Sequence, residues 1–233
     1  QGWAEGSANK SLSSSASNAM LYFESAPPNT NPLWEDLVQS GRTDFVASQT
    51  LGDAMNETND PRRAVYFRAL DSLGNIVGNA HGGGGAYSLY SQPGDLFEDP
   101  GLPATLITYD EVLFLKAEAS ARGWAVGGSV QSFYNSAIDE SMAAWGVDID
   151  TFLTQSTVDY DDQIAAGKTW KEIIGNQKWI AMYDRGLEAY STWRLYDAPT
   201  MADAVEAGTP PPFRYNYSVD EYSVNEAAVS GAN

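Results

Sequence analysis

The sequence predicts a mostly α fold built on tetratricopeptide-like helical hairpins with long irregular loops. Three observations carry this. Thr108-Tyr109-Asp110-Glu111 and Thr169-Trp170-Lys171-Glu172 are both S/T-x-x-E signatures of a helix start, each ahead of an apolar run. Gly127-Gly128 separates two helix-period segments, as in an antiparallel hairpin. Val130, Tyr134 and Ala137 fall at the small, aromatic and small positions of a tetratricopeptide second helix. Any other antiparallel helix pair would also satisfy that spacing.

Taken in order, residues 1–107 read as a loop-rich region with short helices and candidate ligand-facing loops. Asn29-Thr30-Asn31-Pro32 is a turn signal, and a short helix fits residues 43–57 until Asn59-Asp60-Pro61 breaks it. Val65-Tyr66-Phe67 suits a strand or a helical turn. Residues 71–105, with Gly82 to Gly85, read as long loops with a hairpin. Residues 108–198 form the predicted helical core. Val112 to Arg122 is apolar nearly all round, the pattern of a helix buried between neighbours. A second helix runs from Ser129 to Trp145. A long one runs from Trp170 to about Tyr190. Between them, Asp148 to Asp162 is acidic and irregular, with one helical turn. Residues 199–233 form an extended, Tyr-rich tail opened by Pro210-Pro211-Pro212. A single repeat cannot bury its own faces, so the hairpin requires partner helices.

Composition removes several functions. With 43% hydrophobic and 19% charged residues, the 233-residue chain is globular rather than disordered. Without Cys it has no thiol nucleophile, thiolate metal site or lipidated Cys of its own. No apolar run is long enough for a membrane helix, and no signal peptide is expected at the start of these residues. A net charge of −18 repels nucleic acid and anionic lipid. Neutral or cationic partners are left, and seven Trp and thirteen Tyr suit carbohydrate.

The chemistry-bearing candidates are few. His81 is the sole histidine, which excludes a His-pair metal site; alone it reads as a solvated loop residue. Gly82 to Gly85 lacks the Lys-Ser/Thr of a phosphate loop. Asp110 with Glu111, or Asp159 with Asp161 and Asp162, could supply a glycosidase-like pair. The first pair is explained by helix capping. The second reads as a solvated acidic loop, at most a surface Ca²⁺ site. No catalytic residue, resident metal or cofactor is called for. The rings of Trp124, Tyr134, Trp145, Trp170, Trp179 and Trp193 are assigned mostly to the core. Trp3, Trp34, Tyr87 and Tyr90 lie in polar or Gly-rich loops, where a large ring is harder to bury, and are the candidate ligand-binding residues.

From Thr108 the sequence resembles a known family. Thr108 to Ala119, then Gly123-Trp124, Tyr134-Asn135, Ala137-Ile138 and Ser141-Met142 with Trp145-Gly146-Val147 are similar to signatures of SusD/RagB-like proteins. Gln177 to Ile180, Gly186 with Glu188-Ala189-Tyr190, and Trp193-Arg194 continue the likeness. Upstream, Asn31-Pro32-Leu33, Gly41-Arg42 with Asp44 to Val46, and Asn59 to Arg62 fit it; so do Arg214-Tyr215 and Glu221 to Asn225 near the end. The resemblance implies outward-facing outer-membrane lipoproteins of Bacteroidetes-type bacteria. Such proteins bind polysaccharide, oligosaccharide or another nutrient and pass it to a TonB-dependent transporter without catalysis. It implies that this chain is the C-terminal half of a larger SusD-like α superhelix. The N-terminal half would carry the signal peptide and the Cys of the lipid anchor. None of the matched motifs is a ligand motif. Arg62 and Arg194 are expected to pair with carboxylates. The alternatives are a helical-repeat scaffold with a protein ligand and a carboxylate-dependent glycoside hydrolase.

Overall fold

The computed structural model describes residues 11–231, and its framework is helical. Strand β1 (Ala19–Leu21) comes first, then a short helix α1 (Pro32–Trp34) that runs on as a π-turn over Glu35–Gln39. Next are α2 (Gln49–Glu57), α3 (Arg63–Tyr66), β2 (Phe67–Arg68), β3 (Gln92–Pro93) and β4 (Ala104–Ile107). The helical part comprises α4 (Tyr109–Ala121), α5 (Val130–Ala144), α6 (Tyr160–Ala165), α7 (Trp170–Ala181) and α8 (Gly186–Tyr196). The tail adds α9 (Val219–Val224) and α10 (Glu226–Gly231). Antiparallel pairing joins β1 to β4, with Leu21 opposite Ala104, and β2 to β3, with Phe67 opposite Pro93.

The main core lies between the α4–α5 hairpin and α7–α8. Phe114 and Ala117 from α4 meet Tyr134, Ile138 and Met142 from α5 and Ile174 from α7, all fully buried. Each large apolar side chain buried here contributes roughly 1.5–3 kcal/mol. Gly123 ends α4 with φ +79°, and the Trp124 N–H caps back to the Ala119 carbonyl at 2.9 Å. That turn swings Trp124 outward, so it is 44% exposed rather than in the core. Gly175 lets α7 and α8 touch: a Cβ there would sit 2.6 Å from the Tyr196 Cβ.

Three departures from the sequence pattern have tertiary causes. Thr108 precedes α4, but its side chain makes no cap bond. It accepts instead from the Arg185 guanidinium at 3.2 Å, Glu111 is drawn into an ion pair with the same Arg185, and Asn18 Oδ1 caps the Tyr109 N–H at 2.8 Å. The Thr169–Glu172 box, with no such competitor, forms in full. The helix expected from Trp170 to Tyr190 divides at Met182, because Tyr183 and Arg185 turn toward residues of the loop-rich part. Tyr183 stacks on Tyr66 with centroids 4.3 Å apart and meets Phe67 and Phe97 edge-on. Finally, α6 appears inside the acidic segment, capped by Asp159 on the Asp162 N–H at 2.9 Å.

The loop-rich part is bound to the helices by a second core and by a buried ion pair. Met55, Tyr66, Phe67 and Ile76 pack with Ile180, flanked by Trp145 and Trp179. Arg62 and Asp60, both with fully buried side chains, pair at 2.5 Å. Arg62 also donates to Ser141 Oγ on α5 at 3.0 Å and to Gln177 Oε1 on α7 at 2.9 Å. Burial opposes its charge, but Asp60 more than compensates and holds the guanidinium's pKa above its ordinary value.

Candidate functional site

Two clefts open at the junction of the loops and helices. The first, about 380 Å³, lies between α2, α7 and the segments 80–81 and 199–205. Asp53, Glu57 and Asp203 place carboxylates on its walls, beside Lys168 and His81. The second, about 370 Å³, is mostly apolar and runs between α1 and the turn after α7. Phe45, Phe97, Trp179 and Tyr183 present rings to it, with Asp184 among its polar groups. An apolar cleft with a few convergent polar groups is the ordinary form of a small-ligand site. Its rings come from separate elements, so no spacing in the sequence announces them.

The nominated loop aromatics are placed otherwise. Trp34 sits on α1, half-buried; its neighbours Leu33 and Leu37 line the apolar cleft, but Trp34 does not. Tyr87 and Tyr90 share one tight turn and are also half-buried. The Tyr90 hydroxyl donates to the Gly84 carbonyl at 2.9 Å, and its ring lies against Gly85, where φ is +145° and a Cβ would collide with it. Tyr87 uses its carbonyl to accept from Gln92 at 3.2 Å. Neither tyrosine lines either cleft. Trp3 lies outside the described residues. The glycine run is a seat for the tail: the Val205 N–H donates to the His81 carbonyl at 2.9 Å, and Gly82 packs on Ala204.

Of the carboxylates weighed for catalysis, Asp110, Glu111 and Asp159 have structural partners. Burial raises the pKa of the Asp110 carboxyl, against the opposing pull of its hydrogen bond with Thr108. Glu111 is held by Arg185. Asp159 caps α6. Among the described residues no group of three or more His, Asp or Glu is arranged to hold a metal ion, and this includes the acidic segment weighed for Ca²⁺. Arg194 makes no ion pair among the described residues; it lies over the Tyr190 ring at 5.8 Å.

Sequence reasoning missed where exposed rings are most concentrated. Phe213, Tyr215, Tyr217 and Tyr222, all in the tail, are 55%, 94%, 39% and 44% exposed. The signal was present in the alternation of aromatic and polar residues after Pro212.

The chain was then compared with known proteins. A family model for SusD-like proteins, described as starch-binding and associating with the outer membrane, matches residues 4–218. A search of curated proteins finds no match. Among solved structures, a chitin-binding SusD homolog from Flavobacterium johnsoniae aligns with a TM-score of 0.73 at 22% identity, over 97% of this chain and 53% of its own. A SusD homolog from Bacteroides uniformis aligns with a TM-score of 0.74 at 25% identity, over 98% of this chain and 55% of that one. One from Bacteroides vulgatus gives 0.74 at 22% identity, over 98% and 53%. This chain spans about half the length of those structures. With the family pattern running through nearly all of its residues and the same helical fold beneath it, the chain belongs to the SusD-like family.

Proposed function

We propose that this chain is the C-terminal half of a glycan-binding component of an outer-membrane uptake complex, one that passes its ligand to a TonB-dependent transporter without chemical turnover. The observation that carries the reading is the family match over residues 4–218 with its starch-binding description. The chemistry of the surface supports it. The chain is strongly acidic, carries exposed rings, and engages Asp159 in capping and Glu111 in ion pairing, one member of each candidate acid set. Starch and chitin are the first ligands to try, since the family is described as starch-binding and one structural relative as chitin-binding. The localisation follows the same reading: outward-facing at the outer membrane, anchored by lipid through a Cys in the N-terminal half.

A second reading, a scaffold for another polypeptide, draws on one observation. Helix α8 turns Leu187 and Leu195 outward, 76% and 48% exposed. In the uptake reading the same ridge receives helices of the N-terminal half.

Retardation of the chain in native gels cast with soluble starch or glycol chitin tests the proposal. Retardation by either, with no reducing ends released, is expected. Release of reducing ends would replace it with the hydrolase alternative. Mobility unaffected by every glycan tried, with a protein partner captured instead, would replace it with the scaffold.

A further inference from the structure

Six aromatic side chains are exposed among the described residues, and four of them fall within residues 213–222. Single exposed rings are normal, but rings concentrated in one segment form a patch, and patches mark contact sites. This one is braced from behind. The Tyr190 hydroxyl of α8 donates to the Pro212 carbonyl at 2.7 Å, tying down the start of the segment. Phe213 lies flat on Trp193, with centroids 5.1 Å apart and planes 20° apart. Trp193 is only 5% exposed and tilts against Tyr190 at 5.8 Å, so the stack is anchored in the helix. One face of Phe213 is thus fixed while more than half of its surface is open. Beyond it, Tyr215 is almost wholly in solvent, and the Arg214 guanidinium lies over the Tyr217 ring at 4.3 Å.

We infer that Phe213 and Tyr215, the first backed by Trp193, form a stacking platform for the pyranose rings of a neutral glycan, apart from the segments that carry Trp34, Tyr87 and Tyr90. This rests on the glycan-binding reading above and gives it a location. A pyranose ring offers a flat face of C–H groups that packs on an aromatic π-face, with hydroxyls around its rim. The segment supplies both halves of that recognition. Residues 213–218 alternate Phe, Arg, Tyr, Asn, Tyr, Ser, so every second residue is a ring and every intervening one a hydrogen-bonding side chain. A ring already stacked before ligand arrives loses little freedom on binding, which favours affinity from a small contact.

The test uses maltohexaose and chitohexaose as probes, titrated into the chain and followed by intrinsic tryptophan fluorescence and calorimetry. Phe213→Ala and Tyr215→Ala are compared with Trp34→Ala and Tyr87→Ala, each variant checked by thermal melt. At least one probe is expected to bind. Each tail variant is expected to weaken it about tenfold with the melt unchanged, and the loop variants to stay within about twofold. Phe213→Tyr should restore binding, which separates ring stacking from a purely structural role. Full affinity in the tail variants with loss in the loop variants would overturn the platform and leave the glycan reading standing. Absence of binding to both probes, or a tail whose substitutions change only self-association, would overturn the platform as well.

Discussion

Asp60→Ala is the substitution that the packing makes most damaging. Its carboxylate is fully buried and accepts from the Arg62 backbone N–H at 2.9 Å, from Nε at 2.9 Å and from Nη2 at 2.5 Å. Truncation leaves a guanidinium with no exposure to solvent and only two neutral acceptors, Ser141 and Gln177. Breaking a buried pair from one side costs about 3–5 kcal/mol. Against a total stability of about 5–15 kcal/mol that is about a fifth of the total or more. At about 2–4 °C per kcal/mol for a chain of this size, the midpoint should fall by roughly 6–20 °C. Urea and thermal melts of Asp60→Ala, Arg62→Met and the double variant form a complete cycle. The double variant, which removes both charges, should recover much of the loss. A cost for Asp60→Ala below about 1 kcal/mol, typical of exposed pairs, would refute the claim that this pair holds the loop-rich part to α5 and α7.

Other substitutions probe separate parts of the account. Gly175→Ala should cost about 1–3 kcal/mol by forcing α7 from α8, read as a lower urea midpoint with unchanged slope. Thr169→Ala should cost about 1 kcal/mol through loss of the α7 cap. Glu172, whose pKa is lowered by hydrogen bonds from the Thr169 backbone and hydroxyl, gives a pH signature. A depressed carboxylate stabilises the fold above its unfolded value of about 4.3 and loses that contribution as pH falls through the folded value. Glu172→Gln should therefore flatten the acid limb of stability against pH. Lys178 is 5% exposed, its pKa is lowered by burial, and its ammonium lies over the Tyr196 ring at 5.8 Å with no hydrogen bond to another of the described residues. Its charge weighs against the fold at neutral pH and ceases to do so as pH rises toward the ordinary lysine value of about 10.4. Lys178→Met should leave stability equal or higher at pH 7, with a smaller gain on going to pH 10.

How much the sequence announced depended on whether the information was local. The α4–α5 hairpin and the Thr169 cap are set by residues a few positions apart, and they were readable. The Thr108 signature misled because Arg185, 77 residues away, takes both of the side chains that would have closed the box. The division of α7 from α8 depends on Tyr183 stacking against Tyr66, and nothing in the helix period of Trp170 to Tyr190 foretells it. The candidate site shows the same split. Rings in polar loops looked hard to bury, yet Tyr90 half-buries itself on the glycine run, a contact set by backbone conformation at Gly85. The tail rings were visible in the sequence as an alternation. Their bracing on Trp193 and Tyr190 needed the fold.

The central claim is that the chain binds glycan without converting it. Calorimetric titration of the purified chain with maltohexaose and with chitohexaose, followed by chromatography of the same samples after a day, tests both halves at once. Saturable heat with at least one oligosaccharide and recovery of that oligosaccharide intact are expected. Shorter products, or no heat with either, would contradict the claim.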